Sequence, residues 1–133
     1  MKKEFINPGG LAPSPAYTHS VAVEGAVKTI FIAGQVAIDE KGKIVGAGNL
    51  GAQTRKVFDN LALALRGAGA TPADVVKLNM YVVNYKPQDY APIREVRTGF
   101  FAPGKPPAST LVGVAALALE GLLIEVEAIA VTG

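Results

Sequence analysis

The side chains that could do chemistry are concentrated in two strand-like runs near the end of the chain. Ser109 and Thr110 lie in the first run, and Glu125 and Glu127 lie in the second. The chain has no cysteine and only one histidine, His19. Thiolate nucleophiles and thiolate metal sites are therefore excluded, and a nucleophilic serine would lack an evident base. We expect neither a metal site nor a serine nucleophile.

Glu125 and Glu127 belong to a run, residues 122–131, that is otherwise mostly aliphatic. Strand alternation would place Leu122, Ile124, Val126, Ala128 and Ala130 on one face, and Leu123, Glu125, Glu127, Ile129 and Val131 on the other. The second face is too apolar for free exposure and too polar for a dry core. We expect another subunit to cover it, with polar residues left in a cleft between chains. Alternatively, the two glutamates form an ion-pair or hydrogen-bond feature of that interface.

Hydrophobic periodicity and turn residues predict the order of the elements. Strands are expected at residues 3–6, 18–23, 28–35 and 75–83 and in the two C-terminal runs, and helices at about 50–66 and 89–101. Residues 24–27 suggest a hairpin between the second and third strands. After the short strand at residues 3–6, the order ββαβαββ predicts an α+β fold with two helices packed on one mixed sheet, in a single domain of residues 1–133. If strand 75–83 neighbours the last strand, Asn79 and Tyr81 share the mixed face with the two glutamates.

Gly46, Gly48 and Gly51 have the spacing G-x-G-x-x-G ahead of the first helix, which is formally a dinucleotide fingerprint. The strand before it, residues 43–45, is short, and no βαβ array follows. A glycine-rich loop that ends in a helix cap, Asn49, accounts for the same residues. We therefore favour the cap and rank dinucleotide binding last among the functions.

Composition points to a globular protein. The chain has 13 basic and 11 acidic side chains and a net charge of +2. Its basic residues are scattered along the sequence and do not form a cluster. This distribution argues against nucleic acid as a partner. Lys2 and Lys3 run into Glu4 rather than into an apolar segment, so no signal peptide is expected. The longest apolar run, residues 111–119, is too short to cross a bilayer. We expect a cytoplasmic protein with no membrane partner.

Four segments carry a family resemblance: Ile32-Ala33-Gly34-Gln35, residues 53–61, the Phe100-Phe101 pair and residues 124–130. In this order, and over almost the whole chain, they resemble the Rid superfamily, also called the YjgF family. The resemblance implies a chorismate-mutase-like fold that assembles as a homotrimer, with a ligand cleft at each subunit interface. The RidA branch of that family hydrolyses reactive imines and enamines of amino acids to the 2-keto acid and ammonia, without a metal or cofactor.

Carried over position by position, the resemblance gives several residues a role in the cleft. Tyr17 matches the family's cleft tyrosine, Gly34 its cleft glycine, and Glu125 the acid associated with water activation. Arg94 stands about where the family often has a cleft asparagine, and Arg97 follows one turn later. Structural alternatives remain, because Tyr17 could simply anchor its loop and both arginines could be solvated.

Three positions depart from the family pattern. Ser109 stands in place of the arginine that pairs with the substrate carboxylate, Leu111 in place of a cysteine, and Ala33 in place of a serine. Losing a desolvated arginine partner should cost a bound carboxylate about 2–5 kcal/mol. We therefore expect a cleft with an altered substrate preference.

The favoured function is that of a 2-iminobutanoate/2-iminopropanoate deaminase-like hydrolase with an altered substrate. In it, Glu125 is catalytic, and the residues expected to bind substrate are Tyr17, Ala33, Gly34, Arg94, Ser109 and Leu111. A non-catalytic trimer that binds a metabolite is the first alternative. Endoribonuclease or translation-inhibitor activity has less support, because the sequence shows no basic stripe and no metal site.

Overall fold

Eight principal elements follow one another in a computed structural model that describes all residues, 1–133. In chain order they are β1 (Lys2–Ile6), β2 (Ser20–Glu24), β3 (Lys28–Val36), α1 (Leu50–Gly67), β4 (Val75–Val83), α2 (Tyr90–Phe100), β5 (Ala108–Val114) and β6 (Ile124–Thr132). Short 3₁₀ turns, Pro72–Asp74 and Pro87–Asp89, precede β4 and α2. Each predicted helix and strand is present, with ends displaced by a few residues at most.

Four of the strands form one mixed sheet in the order β3-β6-β4-β5. β4 and β5 are parallel and are joined by α2, whereas β6 is antiparallel to both of its neighbours, β3 and β4. Helix α1 packs against β3, β6 and α2. This arrangement confirms the predicted α+β fold with two helices on a mixed sheet.

The predicted hairpin between residues 18–23 and 28–35 is wrong. β2 pairs instead with β1, antiparallel, in a separate two-stranded sheet. The long loop between β1 and β2 is closed on itself, because the side-chain oxygen of Asn7 accepts the backbone N–H of His19 at 3.0 Å. The His19 ring nitrogen Nε2 also lies 2.7 Å from the carbonyl oxygen of Ala12. This closure brings β1 alongside β2, while β3 takes β6 as its partner.

Helix α1 has a well-defined beginning and end. Asn49 caps its first turn, with its side-chain oxygen accepting the backbone N–H of Ala52 at 2.9 Å. At the other end Gly69 has φ of +78°, and the backbone N–H of Ala70 donates to the carbonyl of Leu65 at 2.9 Å, which is a Schellman motif. The loop before the helix therefore has the predicted capping role. Because α1 leads from β3 to β4, which are not neighbours in the sheet, it does not form the βαβ unit of a dinucleotide fold.

The hydrophobic core lies between α1 and the sheet. It includes Val57, Phe58, Leu61 and Leu65 from α1, Leu78, Met80 and Val82 from β4, and Ile124, Val126, Ala128 and Ala130 from β6. On β6 the predicted alternation is confirmed, since the core residues alternate with the half-exposed Glu125, Glu127 and Ile129. Neither helix has the combination of length and apolarity that a membrane crossing requires.

One buried polar side chain ties the loop between β5 and β6 to the core. Gln53 on α1 is fully buried. Its amide nitrogen donates to the carbonyl of Gly121 at 2.9 Å, and its amide oxygen accepts the N–H of Leu123 at 2.8 Å. These two bonds fix the chain just before it enters β6, and thereby fix the position at which β6 begins.

Replacing Gln53 with leucine should therefore destabilise the protein although the side-chain volume changes little. Gln53→Leu removes both part-buried hydrogen bonds, to the carbonyl of Gly121 and the N–H of Leu123, and we expect the free energy of unfolding to fall by about 1–3 kcal/mol. Gln88→Leu, at an exposed position, is the matched control and should change it by less than about 0.5 kcal/mol. Urea unfolding of the three proteins measures both effects, and equal losses for the two variants would contradict the role assigned to Gln53.

Candidate functional site

The face of the sheet that points away from the helices carries a cluster of polar side chains from β4 and β6. Asn79 lies opposite Glu127 in the strand register, and Tyr81 lies opposite Glu125. The amide of Asn79 donates to Oε1 of Glu127 at 3.1 Å, and the hydroxyl of Tyr81 donates to the same oxygen at 2.5 Å. Glu127 is therefore held by two neutral donors of its own chain.

Glu125 lies on the same face and is half-buried, but its carboxylate has a different environment. No side chain or backbone group of the chain donates a hydrogen bond to it, and the only ion pair in the protein joins Lys2 to Glu4 at the surface. No fully enclosed side-chain oxygen lacks a partner, so the Glu125 oxygens keep access to solvent. A carboxylate in this situation has both oxygens available to a water molecule or a ligand.

Gly34 makes room for Glu125. The pairing of β3 with β6 shifts register between Ile32 and Gln35, and Gly34 lies within that irregularity. A Cβ atom at position 34 would lie 2.7 Å from Cδ and 2.9 Å from Cγ of Glu125, closer than side-chain atoms can approach. The glycine therefore allows the Glu125 side chain to lie across β3, and these two predicted site residues are brought into direct contact. Ala33, next to Gly34, is exposed.

Neighbouring groups perturb the ionisation of Tyr81. Its pKa is raised above the ordinary value of 10.0, chiefly because its hydroxyl donates a hydrogen bond to Glu127. Partial desolvation and the negative charges of Glu127 and Glu125 act in the same direction. Ionised Tyr81 would lose that hydrogen bond and place a third negative charge in the cluster, so the neutral phenol is the form that fits.

The other predicted site residues lie elsewhere in the chain. Ser109 and Leu111 on β5 stand opposite Leu78 and Met80, which are core residues, so they occupy the helix-facing side of the sheet. Leu111 packs against the hydrophobic core. Within one chain, Ser109 and Leu111 are thus on the opposite face of the sheet from Glu125.

Tyr17 is half-buried, and its ring meets that of His19 edge-on at 5.2 Å between centroids. The next residue, Thr18, donates its hydroxyl to the carbonyl of Pro106 at 2.6 Å and its N–H to that of Pro107 at 3.2 Å. The loop that carries Tyr17 is therefore attached to the segment that leads into β5. This attachment brings Tyr17 close to the segment that precedes Ser109.

Arg94 lies on the wall of a separate cavity of about 510 Å³, between α2 and the segments 14–16 and 101–106. Arg97 lines the same cavity and is buried, with an exposed fraction of 7%. Its guanidinium donates to the hydroxyl of Tyr90 at 2.7 Å. From the sequence, Arg97 was noted only because it follows Arg94 by one turn. Tyr90 and Arg97 are seven residues apart, which is two turns of a helix. That spacing places both side chains on one face and could have identified them as a pair.

The open face of the sheet also carries apolar residues. Phe31 on β3 is 78% exposed, and Val112 on β5 is exposed too. A shallow recess of about 200 Å³ lies between Phe31, Lys77 and Glu127. The face thus has the mixture of apolar and polar side chains that the sequence predicted.

The contact between Gly34 and Glu125 can be measured by a double-mutant cycle. Gly34 does not have a positive φ, so alanine fits the backbone and the clash with Glu125 is the main penalty. We expect Gly34→Ala to lower the free energy of unfolding by about 1–3 kcal/mol in the natural sequence. In a Glu125→Ala background the same change should cost no more than about 0.5 kcal/mol. Equal costs in both backgrounds, measured by urea unfolding, would show that the two residues do not interact.

The raised pKa of Tyr81 can be followed through its ring resonances in protein labelled at tyrosine. We expect Tyr81 to ionise above pH 10.0 and Glu127→Gln to bring its pKa down, whereas Glu120→Gln, at an exposed loop position, should leave it unchanged. Because the folded-state pKa is raised, the stabilisation by neutral Tyr81 is complete below pH 10.0 and is lost as pH rises from there through the raised value. A Tyr81 pKa that does not respond to Glu127→Gln would contradict the assigned cause.

Comparison with known proteins places these features in a family. The family model described as Endoribonuclease L-PSP matches residues 9–132. A RutC family protein of Pyrococcus horikoshii is 38% identical over 119 residues, which cover 90% of each protein. A 2-iminobutanoate/2-iminopropanoate deaminase of Dermatophagoides farinae is 31% identical over 121 residues, 91% of each.

Among solved structures, a protein of unknown function from Yersinia pestis, YyfB of the conserved Rid family, is similar over 98% of this chain and 99% of that one. The TM-score is 0.91 and the sequence identity 45%. The family model and the relatives each cover most of the chain, so the agreement is not confined to one motif. The chain belongs to the Endoribonuclease L-PSP family, the YjgF/RidA or Rid family that its sequence resembles.

Proposed function

We propose that this protein hydrolyses a reactive imine or enamine, with Glu125 as the residue that activates water. The observation that carries the proposal is the contrast between two glutamates on one strand. Glu127 is held by Tyr81 and Asn79, whereas the half-buried carboxylate of Glu125 has no partner in the chain and is accommodated by Gly34. The relative from Dermatophagoides farinae, which is named as an imine deaminase, supports the same reaction class.

The reaction needs only one group that can accept and return a proton. A water molecule bound to Glu125 would give a proton to the carboxylate as its oxygen attacks the imine carbon. The imine reacts as its iminium ion, so the C=N π electrons move to nitrogen and a neutral carbinolamine forms. Glu125 then returns the proton to the amine nitrogen. The C–N bond breaks and ammonia leaves as the hydroxyl proton passes to Glu125 and the carbonyl forms, and Glu125 finally releases that proton to solvent. An enamine enters the same sequence after a proton shift to its carbon has produced the imine.

The proposed catalytic unit is a homotrimer in which a second subunit covers the open face of the sheet. Phe31 and Val112 are exposed on that face, and burial of apolar surface is the main driving force for such association. A covering subunit would turn the surface around Glu125 into a cleft that limits access of bulk water. It would also allow Tyr17, Ser109 and Leu111 of one chain to face Glu125 of another, although they lie apart within a single chain.

Ser109 affects how a carboxylate group of the proposed substrate can be bound. It is uncharged and stands on β5 beside Leu78, so no cation on β5 is available to hold a substrate carboxylate. A serine hydroxyl can donate one hydrogen bond to a carboxylate, whereas an arginine guanidinium can donate two parallel ones. The proposed substrate is therefore an imine whose carboxylate, where it has one, is not held from β5.

The reaction is tested with imines released in situ by an amino acid oxidase, in competition with semicarbazide as a trap. In the presence of the protein, less imine should react with semicarbazide and more keto acid should form. Glu125→Gln keeps the size of the side chain but removes the base, and we expect it to lower the rate by about 10²–10⁴-fold. Glu127→Gln is the matched control, with the same chemical change two residues away, and should retain the activity within a few-fold.

Two outcomes would reject the proposal. One is equal activity of Glu125→Gln and the unmodified protein. The other is no acceleration with imines that bear small, branched or aromatic side chains. If that second outcome is accompanied by a rise of the melting temperature with a small metabolite, non-catalytic binding replaces hydrolysis as the function.

A further inference from the structure

A shallow recess on the open face of the sheet is not used by the proposed hydrolysis. Its volume is about 200 Å³, and strands β3, β4 and β6 form its walls. Glu125 lies further along the sheet, opposite Tyr81. Sites for drug-sized molecules have volumes of about 300–1,000 Å³, so this recess has room for a smaller molecule. The side chains that give it its chemistry are Phe31, Lys77, Asn79, Glu127 and Ile129.

Two opposite charges line the recess without pairing with each other. Lys77 on β4 lies opposite Ile129, and Glu127 on β6 lies opposite Asn79. The two charged residues are therefore diagonal neighbours on one face, about 7–8 Å apart across the strand pair, a spacing that long side chains can bridge. The one ion pair of the chain lies elsewhere, at the surface. An ion pair between Lys77 and Glu127 is thus within reach but is not formed.

Each of these charges is held instead by neutral groups of the chain. Nζ of Lys77 donates to the hydroxyl of Thr110 on β5 at 2.8 Å. Oε1 of Glu127 accepts from Asn79 and Tyr81. These bonds leave two N–H groups of Lys77 and Oε2 of Glu127 without a partner in the chain. Because no fully enclosed side-chain nitrogen or oxygen lacks a partner, these groups are open to solvent or to a ligand.

Asn79 supplies a further acceptor beside Glu127. Its amide nitrogen donates to Glu127, so its amide oxygen is the atom that is left free. The recess therefore offers two acceptor oxygens, one from the carboxylate and one from the amide, next to each other on neighbouring strands. An ammonium group has three N–H donors and can bind to both oxygens at once.

The side of the recess formed by β3 is apolar. Phe31 is 78% exposed, and it lies opposite the half-buried Ile129 in the strand register. An exposed aromatic ring beside an aliphatic side chain favours contact with an apolar group. The recess thus combines a cation, a pair of acceptors and an apolar wall.

We propose that this recess binds a free α-amino acid with a small apolar side chain. Lys77 binds the α-carboxylate, the free oxygens of Glu127 and Asn79 bind the α-ammonium group, and the side chain packs against Phe31. A zwitterion fits better than a simple anion or cation, because a ligand with one charge would leave one charge of the recess without a partner. The proposal concerns binding alone and holds whether or not the protein hydrolyses imines.

The proposed trimer is compatible with such a ligand. A subunit that covers the open face would desolvate Lys77 and Glu127, which costs free energy. A bound zwitterion would place an opposite charge beside each of them and offset part of that cost.

Calorimetric titration with three matched probes tests the chemistry of the ligand. The probes are L-valine, 3-methylbutanoate, which lacks the ammonium group, and 2-methylpropylamine, which lacks the carboxylate. We expect valine to bind at least about tenfold more tightly than either of the others, which corresponds to roughly 1.4 kcal/mol. No imine is present in this experiment, so its result is independent of the hydrolysis assay.

Variants show which charge binds which end of the ligand. Lys77→Met should abolish the preference for valine over 2-methylpropylamine and keep the preference over 3-methylbutanoate. Glu127→Gln should have the reverse effect, because it removes the partner of the ammonium group. Lys43→Met makes the same change as Lys77→Met at an exposed loop position and should keep both preferences. General damage to the fold would instead lower both preferences together.

The side-chain amide resonances of Asn79 in the unmodified protein locate the binding, and they decide the question if a variant does not fold. At equal concentration, valine should shift them more than either singly charged probe. Binding of valine no tighter than that of both other probes would overturn the proposal. So would loss of the same preference in Lys77→Met and Glu127→Gln, or the absence of a valine-dependent shift at Asn79.

Discussion

Strand β6 lies between β3 and β4 in the sheet, and burial of its aliphatic face determines where its two glutamates point. Ile124, Val126 and Ala128 are almost completely buried against α1 and the rest of the core. Each large aliphatic side chain contributes roughly 1.5–3 kcal/mol when it is removed from water. A slip of one residue would expose this face and bury Glu125 and Glu127 instead, at a cost that the core could not offset. The placement of the carboxylates is thus a consequence of packing on the opposite face.

The two glutamates show how neighbouring strands give different environments to one residue type. Glu127 faces β4, where Asn79 and Tyr81 supply donors. Glu125 lies across β3, where the register shift and Gly34 supply space and no donor. A carboxylate that accepts two hydrogen bonds from its own chain, as Glu127 does through Oε1, is fixed in position, whereas one that accepts none can exchange partners during a reaction. The difference comes from the neighbours and not from the strand that carries both residues.

Local patterns were sufficient to predict most elements but not all of the contacts between them. β4 has the predicted bounds, and Asn49 caps α1, because alternation and capping depend on residues close in sequence. The β1–β2 pairing was missed because it depends on closure of a loop by Asn7 and His19. The cavity at Arg97 was missed for a related reason, since its walls come from three separate segments.

Ion pairs contribute little to the stability of this fold. Charged side chains that are buried or half-buried without a counter-ion therefore need an explanation other than stability. The chain has 13 basic and 11 acidic side chains but only one ion pair, Lys2–Glu4, which is exposed and so stabilises the fold by at most about 1 kcal/mol. Stability must come from the apolar core and from buried hydrogen bonds such as those of Gln53. Glu125 takes part in neither, and Arg97 makes a single side-chain hydrogen bond, to the hydroxyl of Tyr90. A buried cation and a half-buried carboxylate that lack a counter-ion oppose folding, and such local conflicts are expected where binding or catalysis requires them. Arg97 and Glu125 are therefore positions at which a bound group of opposite charge or hydrogen-bonding capacity would offset part of the cost of desolvation.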